Sequence, residues 1–322
     1  LPLALTALDQ MGATPGQLND YRRTHASWLE KLPEREAAPA VPGRSARRTM
    51  RALSICRPIS GSASRARAGR WYCGRRCLLA PGISAAAFHG LIRTAMGVTS
   101  RHDGEIAAGL AYWAAHWQRL GTALGAPADG KPSDDPLTLL ERLRGDERFA
   151  FDRGKAPDLI DDALIAVGSL SGFSEVIDWL DPVACKVSDL ARAAGALYGA
   201  TGDFTALHTA TASQAVAVLL PYAQEPKVLL PWLWQGVAAA YVAIGRPALP
   251  AAETIDGWRA AETPAWPELL RSALTQDDEH TVKLCYSALS LGRLTGDRLF
   301  RWLAAREVGA LKGVGLPAWR NG

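Results

Sequence analysis

The chain has 322 residues, of which 48% are hydrophobic and 21% are charged. This apolar content can bury a core, which excludes a chain that is disordered throughout. The net charge of +4 is too small to indicate a nucleic-acid partner. Five cysteines without even spacing do not form a disulfide framework, and residues 1–10 lack a signal peptide's basic region and cleavage site. We therefore expect a cytoplasmic protein, and the 57 alanines favour an all-α fold.

Residues 1–32 are predicted to form a helical hairpin that packs on the main domain. The stretch 1–10 is mostly apolar, and Gly12 is a suitable residue to end a helix. Thr14 followed by Pro15 is typical of a helix start. Apolar and aromatic residues recur after it at intervals of three and four, which predicts the second helix.

Residues 33–80 differ in composition from the rest of the chain. The part from 44 to 78 holds ten arginines and three of the five cysteines, without a helical or strand period. Cys73 and Cys77 have no second pair of close ligands, which argues against a zinc site. Such a composition is typical of GC-rich DNA translated out of frame. We predict that residues 40–80 are irregular or poorly ordered, because they cannot present one apolar face to a core.

Residues 81–322 are predicted to form the main helical domain. Ser84 is a candidate N-cap for a helix through AAAFHGLIRTAM, and Asp103 is a candidate N-cap for the next helix. Residues 121–158 are rich in Gly, Pro and Asp, which predicts a loop with one turn at 137–143. Further helices are predicted at residues 158–170, 173–180, 186–198, 203–223, 228–245, 265–275, 278–292 and 296–310. No alternating strand pattern occurs, so we predict an all-α, bundle-like single domain.

The stretch 228–245 is apolar enough to require a membrane test. It has no charged residue, but it is shorter than the roughly 20 residues of a spanning helix and contains Pro231, Gln235 and Gly236. We therefore predict a helix buried in the protein and no membrane partner. Pro231 is expected in its first turn or at a kink.

Three of the six histidines are the candidate chemical groups. The chain has no phosphate-binding loop, dinucleotide fingerprint, serine-hydrolase elbow or HExxH motif. His89, His208 and His280 each lie on a predicted helix with an apolar face, and Lys283 follows His280 by one turn. A single histidine in such a place is more often a core residue than a ligand. Three inward histidines on facing helices, however, match the way that helical bundles build metal sites, so we predict that the imidazoles converge within reach of one ion.

Aromatic residues near these helices are candidates for a substrate pocket. Trp113, Trp117, Trp232 and Trp234 lie on apolar helices and are large enough to wall a pocket for a planar ligand. Plain core filling is the alternative for each of them. His116 lies between the first two tryptophans, so it is a further candidate to face the same centre.

The segments AAAFHGLIR, ALHTATASQA and DDEHTVKL resemble the three signature regions of the questin oxidase-like family. Fungal members of that family act in polyketide pathways that open an anthraquinone ring, and many bacterial members exist. The resemblance implies an all-helical fold and a mononuclear non-haem Fe(II) held by histidines and a carboxylated lysine. Transferred by motif, the ligands are His89, His208, His280 and Lys283, and many relatives have histidine in place of Gln214. The implied reaction partners are dioxygen and a small aromatic molecule.

Three functions are open at this point. The first is an oxygenase that oxidises or ring-opens an aromatic polyketide-like substrate at a histidine-ligated iron. The second is a hydrolase that uses the same helices to hold zinc and an activated water. The third is a degenerate helical binding or structural domain without a metal. Neutral imidazole ligands suit iron or zinc better than magnesium, so metal analysis separates these functions.

Overall fold

The computed structural model describes residues 1–26, 79–121, 130–223, 228–317 and 319. Within these ranges the chain is helical, and its β structure is limited to an isolated bridge between Ser133 and Leu180. One hydrophobic core extends from Ala4 to Leu311, which confirms the predicted all-α single domain. The α-helices of the described residues are α1 (Pro2–Gln10), α2 (Pro15–Ala26), α3 (His89–Ser100), α4 (Asp103–Ala115), α5 (Pro136–Gly145), α6 (Ile160–Gly168), α7 (Val187–Thr201), α8 (Phe204–Leu219), α9 (Leu229–Ala243), α10 (Ala252–Ala260), α11 (Trp266–Ala273), α12 (Glu279–Thr295) and α13 (Leu299–Glu307).

Helix α8 is the central helix of the fold. Asp203 caps it by accepting hydrogen bonds from the backbone N–H groups of Thr205 and Ala206. Twelve of its sixteen residues are buried, and most of these are small residues of the run TATASQA. Small side chains allow helices to approach closely, and α3, α7, α9 and α12 all pack against α8. This arrangement places the side chains of α8 at the meeting point of several helices.

The N-terminal helices lie against the same core. Helix α1 packs on α12 and α3, and α2 follows it in the chain. Tyr21 and His25 are the buried side chains of α2. Residues 27–78 lie outside the described residues, so the irregular structure predicted for 40–80 and the frameshift hypothesis stay predictions.

The predicted helix start at Ser84 is wrong. Helix α3 begins at His89, and residues 83–88 form a succession of turns. Ala86, Ala87 and Phe88 have φ values of +49°, +53° and +65°, so three consecutive residues adopt the left-handed conformation. L-residues favour the right-handed region, so the sequence AAAF predicts a helix. The tertiary structure overrides that local preference.

The prediction of a loop over residues 121–158 is wrong for part of that range. Residues 136–145 form helix α5, capped by Asp135, where the sequence indicates a loop with one turn. The short helix predicted at 173–180 is present as a 3₁₀-helix over residues 173–179. Helix α10 is not among the helices predicted from the sequence. Both α5 and α10 follow stretches rich in Pro or Asp, which hides their helical period in the surrounding loop composition.

The apolar stretch 228–245 corresponds to helix α9, which is buried along most of its length. Pro231 lies in the first turn of this helix, as predicted, where its missing N–H costs no hydrogen bond. No helix in the described part of the chain is long and apolar enough to cross a membrane.

Candidate metal centre

Three helices bring His89, His208 and His280 together. His89 is the first residue of α3, His208 lies in the second turn of α8, and His280 lies in the first turn of α12. Each histidine offers a ring nitrogen, and these nitrogens all lie within 4.8 Å of one another. The ring centroid of His208 lies 5.2 Å from the ring centroid of His89 and 5.6 Å from that of His280. The convergence predicted from the sequence is therefore observed, and its spacing fits one ion between the rings.

The rings of His89 and His208 are neutral at pH 7. Burial is the largest cause that lowers the pKa of His89 to about 4, and the nearby Lys283 and His280 lower it further. Burial also lowers the pKa of His208 well below its usual value. A neutral imidazole has one N–H group and one lone pair, so each ring can donate one hydrogen bond and hold a metal with its other nitrogen.

Backbone carbonyl groups determine which nitrogen is left for a metal. His208 Nδ1 lies 2.8 Å from the carbonyl oxygen of Phe204. A carbonyl oxygen only accepts, so Nδ1 carries the proton and Nε2 keeps the lone pair. The ring of His89 likewise donates to the carbonyl oxygen of Ala86. Such second contacts orient histidine ligands in metal sites.

His280 is oriented by the cap of its helix. Asp278 accepts hydrogen bonds from the backbone N–H groups of His280 and Thr281, at 2.9 and 2.8 Å. Burial would raise the pKa of Asp278, but its hydrogen bonds with His280 and Thr281 outweigh burial and lower the pKa to about 2. The ring nitrogens of His280 lie 3.9 Å from Asp278 Oδ2 and 4.0 Å from Glu279 Oε1. Two carboxylates therefore border the histidine cluster.

Lys283 is buried, with 5% of its surface exposed, and it is also paired. Its Nζ lies 3.4 Å from Glu279 Oε1. Burial lowers the pKa of Lys283, while Glu279 acts in the opposite direction. Because Lys283 contributes to lowering the pKa of both His89 and His208, its amine lies near their rings. Lys283 is therefore both buried beside the histidines and paired with a carboxylate.

The other candidate residues lie outside the histidine cluster. His116 is exposed, and its Nδ1 lies 3.0 Å from the carbonyl oxygen of Tyr112 at the end of α4. Gln214 is buried on α8. It follows His208 by six residues, so its side chain projects about 120° away around the helix.

The tryptophans Trp113 and Trp234 are core residues. Both are almost fully buried, and their indole N–H groups donate to the carbonyl oxygens of Gly82 and Val176. Trp117 and Trp232 are half-buried. None of these four tryptophans has a ring contact with His89, His208 or His280 among the described residues, so their predicted role as pocket walls has no support from such a contact.

The aromatic residues that contact the histidines are Phe204 and Trp319. The ring of Phe204 lies 4.8 Å from that of His208 and 4.6 Å from that of His280, between centroids. Trp319 lies 6.0 Å from His280 and 5.5 Å from Phe204. The sequence signal for Phe204 was its position one turn before His208, whereas Trp319 lies far along the chain and gave no signal.

Both aromatic rings also line a cavity of about 300 Å³. Arg153 and Asp203 lie on its wall and form an ion pair at 2.6 Å. This volume is at the lower end of the range for small-molecule sites, which is about 300 to 1,000 Å³. The cavity thus lies one aromatic ring away from the histidine cluster.

The comparisons with known proteins agree with the motifs. A family model described as questin oxidase-like matches residues 74–288, which is more than half of the chain and includes all three histidines and Lys283. No curated protein matches the chain.

Proposed function

The chain belongs to the questin oxidase-like family, and from this premise we propose that it is an oxygenase with a histidine-ligated non-haem iron. The proposed reaction oxidises or ring-opens a small aromatic, polyketide-like molecule with dioxygen. The observation that carries the proposal is the cluster of three histidine nitrogens within 4.8 Å of one another, inside the region that the family model matches.

The chemistry of the donor set fits an iron. His89, His208 and His280 would supply imidazole nitrogens, and the first two rings are neutral at pH 7 because burial lowers their pKa. Imidazole ligands with open positions are typical of non-haem iron sites. When bound, iron would supply the redox chemistry with dioxygen that these side chains lack. The protein's own contribution is to keep the rings of His89 and His208 neutral and to orient all three rings.

The cavity beside Phe204 supports a planar aromatic substrate. Phe204 and Trp319 offer ring faces and edges to such a molecule, and both also contact the histidines. Arg153 supplies a positive charge on the same wall for an acidic oxygen of the substrate. A substrate held there would lie next to the cluster without displacing its ligands.

Elemental analysis of the purified protein tests this function. We expect about one iron for each chain after anaerobic loading with Fe(II), and the loss of most of it in His208→Ala, because the remaining nitrogens cannot close the site. His102→Asn is the matched control, since His102 caps α4 by accepting from Glu105 N–H and asparagine also caps helices. Iron-loaded protein should then consume dioxygen in the presence of a hydroxylated anthraquinone.

The second candidate function is a zinc-dependent hydrolase. Three histidines with an open position are also a typical zinc site that activates water. Protein that retains zinc after iron loading and consumes no dioxygen would favour this function. Wild-type protein that binds neither metal would contradict both candidates and favour a metal-free helical domain.

A further inference from the structure

The turn before His89 is the most unusual backbone feature of the described residues. Ala86, Ala87 and Phe88 are consecutive L-residues with positive φ. Left-handed conformations at such residues occur mostly one at a time, and each is unfavourable because Cβ approaches the next carbonyl oxygen. A run of three persists only where surrounding contacts stabilise it.

Asp161 makes the contacts that stabilise this turn. Its Oδ1 accepts a hydrogen bond of 2.7 Å from the backbone N–H of Ala86, and the N–H of Ala87 donates to the same carboxylate. Successive N–H groups of a left-handed turn form a concave anion site, and here a side chain of the protein fills it. Asp161 lies in the first turn of α6, which is 75 residues away in sequence.

The backbone N–H groups of Ala86 and Ala87 are the main partners of Asp161. It forms no ion pair with a lysine or arginine among the described residues, although it is half-buried. The titratable groups that face it are Asp162, Tyr112 and the distant His116. A carboxylate in such a place is unfavourable unless it accepts hydrogen bonds, so its position is explained by the turn that it binds.

A second contact fixes the end of the turn. Phe88 is fully buried and packs on α9 at Gly236, where a Cβ atom would lie 2.7 Å from Phe88 Cε1. The glycine therefore makes room for the phenyl ring. Asp161 holds one side of the turn, and Phe88 anchors the other.

The peptide unit between Ala86 and Ala87 connects Asp161 with His89. Its N–H, that of Ala87, donates to Asp161, while its carbonyl oxygen, that of Ala86, accepts from the backbone N–H of His89 at 3.0 Å and from the imidazole of His89. Rotation of this peptide would break the bond to the ring and release the imidazole. The direction of the ring therefore depends on the carboxylate.

We propose that Asp161 is a positioning residue of the candidate metal centre: it holds the left-handed turn that directs the free nitrogen of His89 at His208 and His280. This role rests on the proposed function, because it assumes that the three histidines bind a metal. Asp161 itself contacts neither the metal nor the substrate in this assignment.

A titration with Co²⁺, followed by its visible absorption, tests the role. We expect Asp161→Asn to weaken cobalt binding by about 10- to 100-fold and to change the spectrum, as loss of an outer contact to a ligand does. Asp162→Asn is the matched control, since Asp162 lies in the same first turn of α6 but is exposed. It should bind cobalt within about twofold of wild type.

A rescue experiment separates positioning from general stability. Ala86→Gly removes the steric cost of the left-handed conformation, so combining it with Asp161→Asn should restore most of the cobalt affinity. Asp161→Glu keeps the charge but moves the carboxylate, and it replaces Asp161→Asn if that variant does not fold. Wild-type affinity and spectrum in Asp161→Asn or Asp161→Glu would overturn the proposal, as would the absence of any rescue.

A measurement on metal-free protein keeps this proposal distinct from the proposed function. The imidazole N–H proton of His89 is hydrogen-bonded to Ala86, so it should give an NMR signal protected from exchange in wild type and in Asp162→Asn. Loss of this signal in Asp161→Asn supports the positioning role even if wild-type protein binds no metal, a result that would contradict only the proposed function. Retention of the signal in Asp161→Asn would overturn the role.

Discussion

At the scale of single residues, the histidines differ in what their ring nitrogens contact. Both nitrogens of His25 lie 2.9 Å from carbonyl oxygens, of Tyr21 and Asp277, which makes it a bridge between α2 and the loop before α12. His102 uses a ring nitrogen to cap α4. His208 is different, because only one nitrogen is bound to a carbonyl and the other faces two more histidines. A ring nitrogen that faces other histidines, and not a carbonyl group, thus distinguishes the candidate ligand His208 from the structural histidine His25.

Lys283 is the residue on which the proposed carboxylated ligand depends. Its neutral amine would bond to the carbon of carbon dioxide and release one proton, which gives an anionic carbamate. Burial favours the neutral amine, whereas the carboxylate of Glu279 favours the charged one. The balance between these two contacts controls how much amine can react.

We predict that Lys283→Arg binds iron at least about tenfold more weakly than wild type, because arginine stays protonated and forms no carbamate. Labelling with ¹³C-bicarbonate should give a carbamate NMR signal in wild type and none in Lys283→Arg. Glu279→Gln should increase the signal, because removing the carboxylate lowers the pKa of Lys283 further. Iron binding by Lys283→Arg that equals wild type would show that Lys283 is not a ligand.

At the scale of helices, a seam of glycines holds α3 against α4. A Cβ atom on Gly90 would lie 2.6 Å from Trp113 Cα, and one on Gly97 would lie 2.6 Å from Ile106 N. Between them, a Cβ on Gly109 would lie 2.6 Å from Thr94 N. These neighbours are backbone atoms, so the two helices touch along their length. The seam fixes α3, and with it the helix that begins at His89.

We predict that Gly109→Ala lowers the free energy of unfolding by about 1 to 3 kcal/mol, since the added methyl group must push the two backbones apart. Gly257→Ala is the control in an exposed helix, where a Cβ atom meets nothing within 4 Å. It should raise the free energy of unfolding by up to about 1 kcal/mol through helix propensity. Urea unfolding measures both, and equal stability of Gly109→Ala and wild type would contradict the close contact.

At the scale of the whole molecule, burial of the histidine cluster links folding to pH. The pKa of His89 is about 4 in the folded protein, against an ordinary value of 6.5. Between these values the unfolded chain binds a proton that the folded protein excludes, so stability decreases as the pH falls through this window. Above pH 6.5 both states are neutral at this site and it contributes no pH dependence.

We predict that metal-free protein loses about 3 kcal/mol of unfolding free energy from His89 alone between pH 6.5 and pH 4. His208 adds to the loss in the same direction. The depressed pKa of Asp278, about 2, affects stability only at lower pH. Urea unfolding across this range measures the slope, and His89→Gln should flatten it. A stability that stays constant down to pH 4.5 in wild type would contradict the burial of neutral imidazoles.

The sequence by itself determined the all-α fold and the choice of the three candidate histidines. Both follow from the spacing of apolar residues along short segments of the chain. The period of apolar residues predicted most of the helices, including α8, α9 and α12. The same period placed His208 on a buried face and His280 at the half-buried start of α12. Such patterns depend on residues a few positions apart, so they can be recognised without the tertiary structure.

The tertiary structure alone decided how these residues are held. The local preference of Ala86 and Ala87 is right-handed helix, and the observed left-handed turn depends on Asp161, which is distant in sequence. The approach of Trp319 to His280 likewise depends on packing between distant segments. Contacts of this kind stabilise conformations that local propensity disfavours, because the free energy gained from distant partners exceeds the local cost.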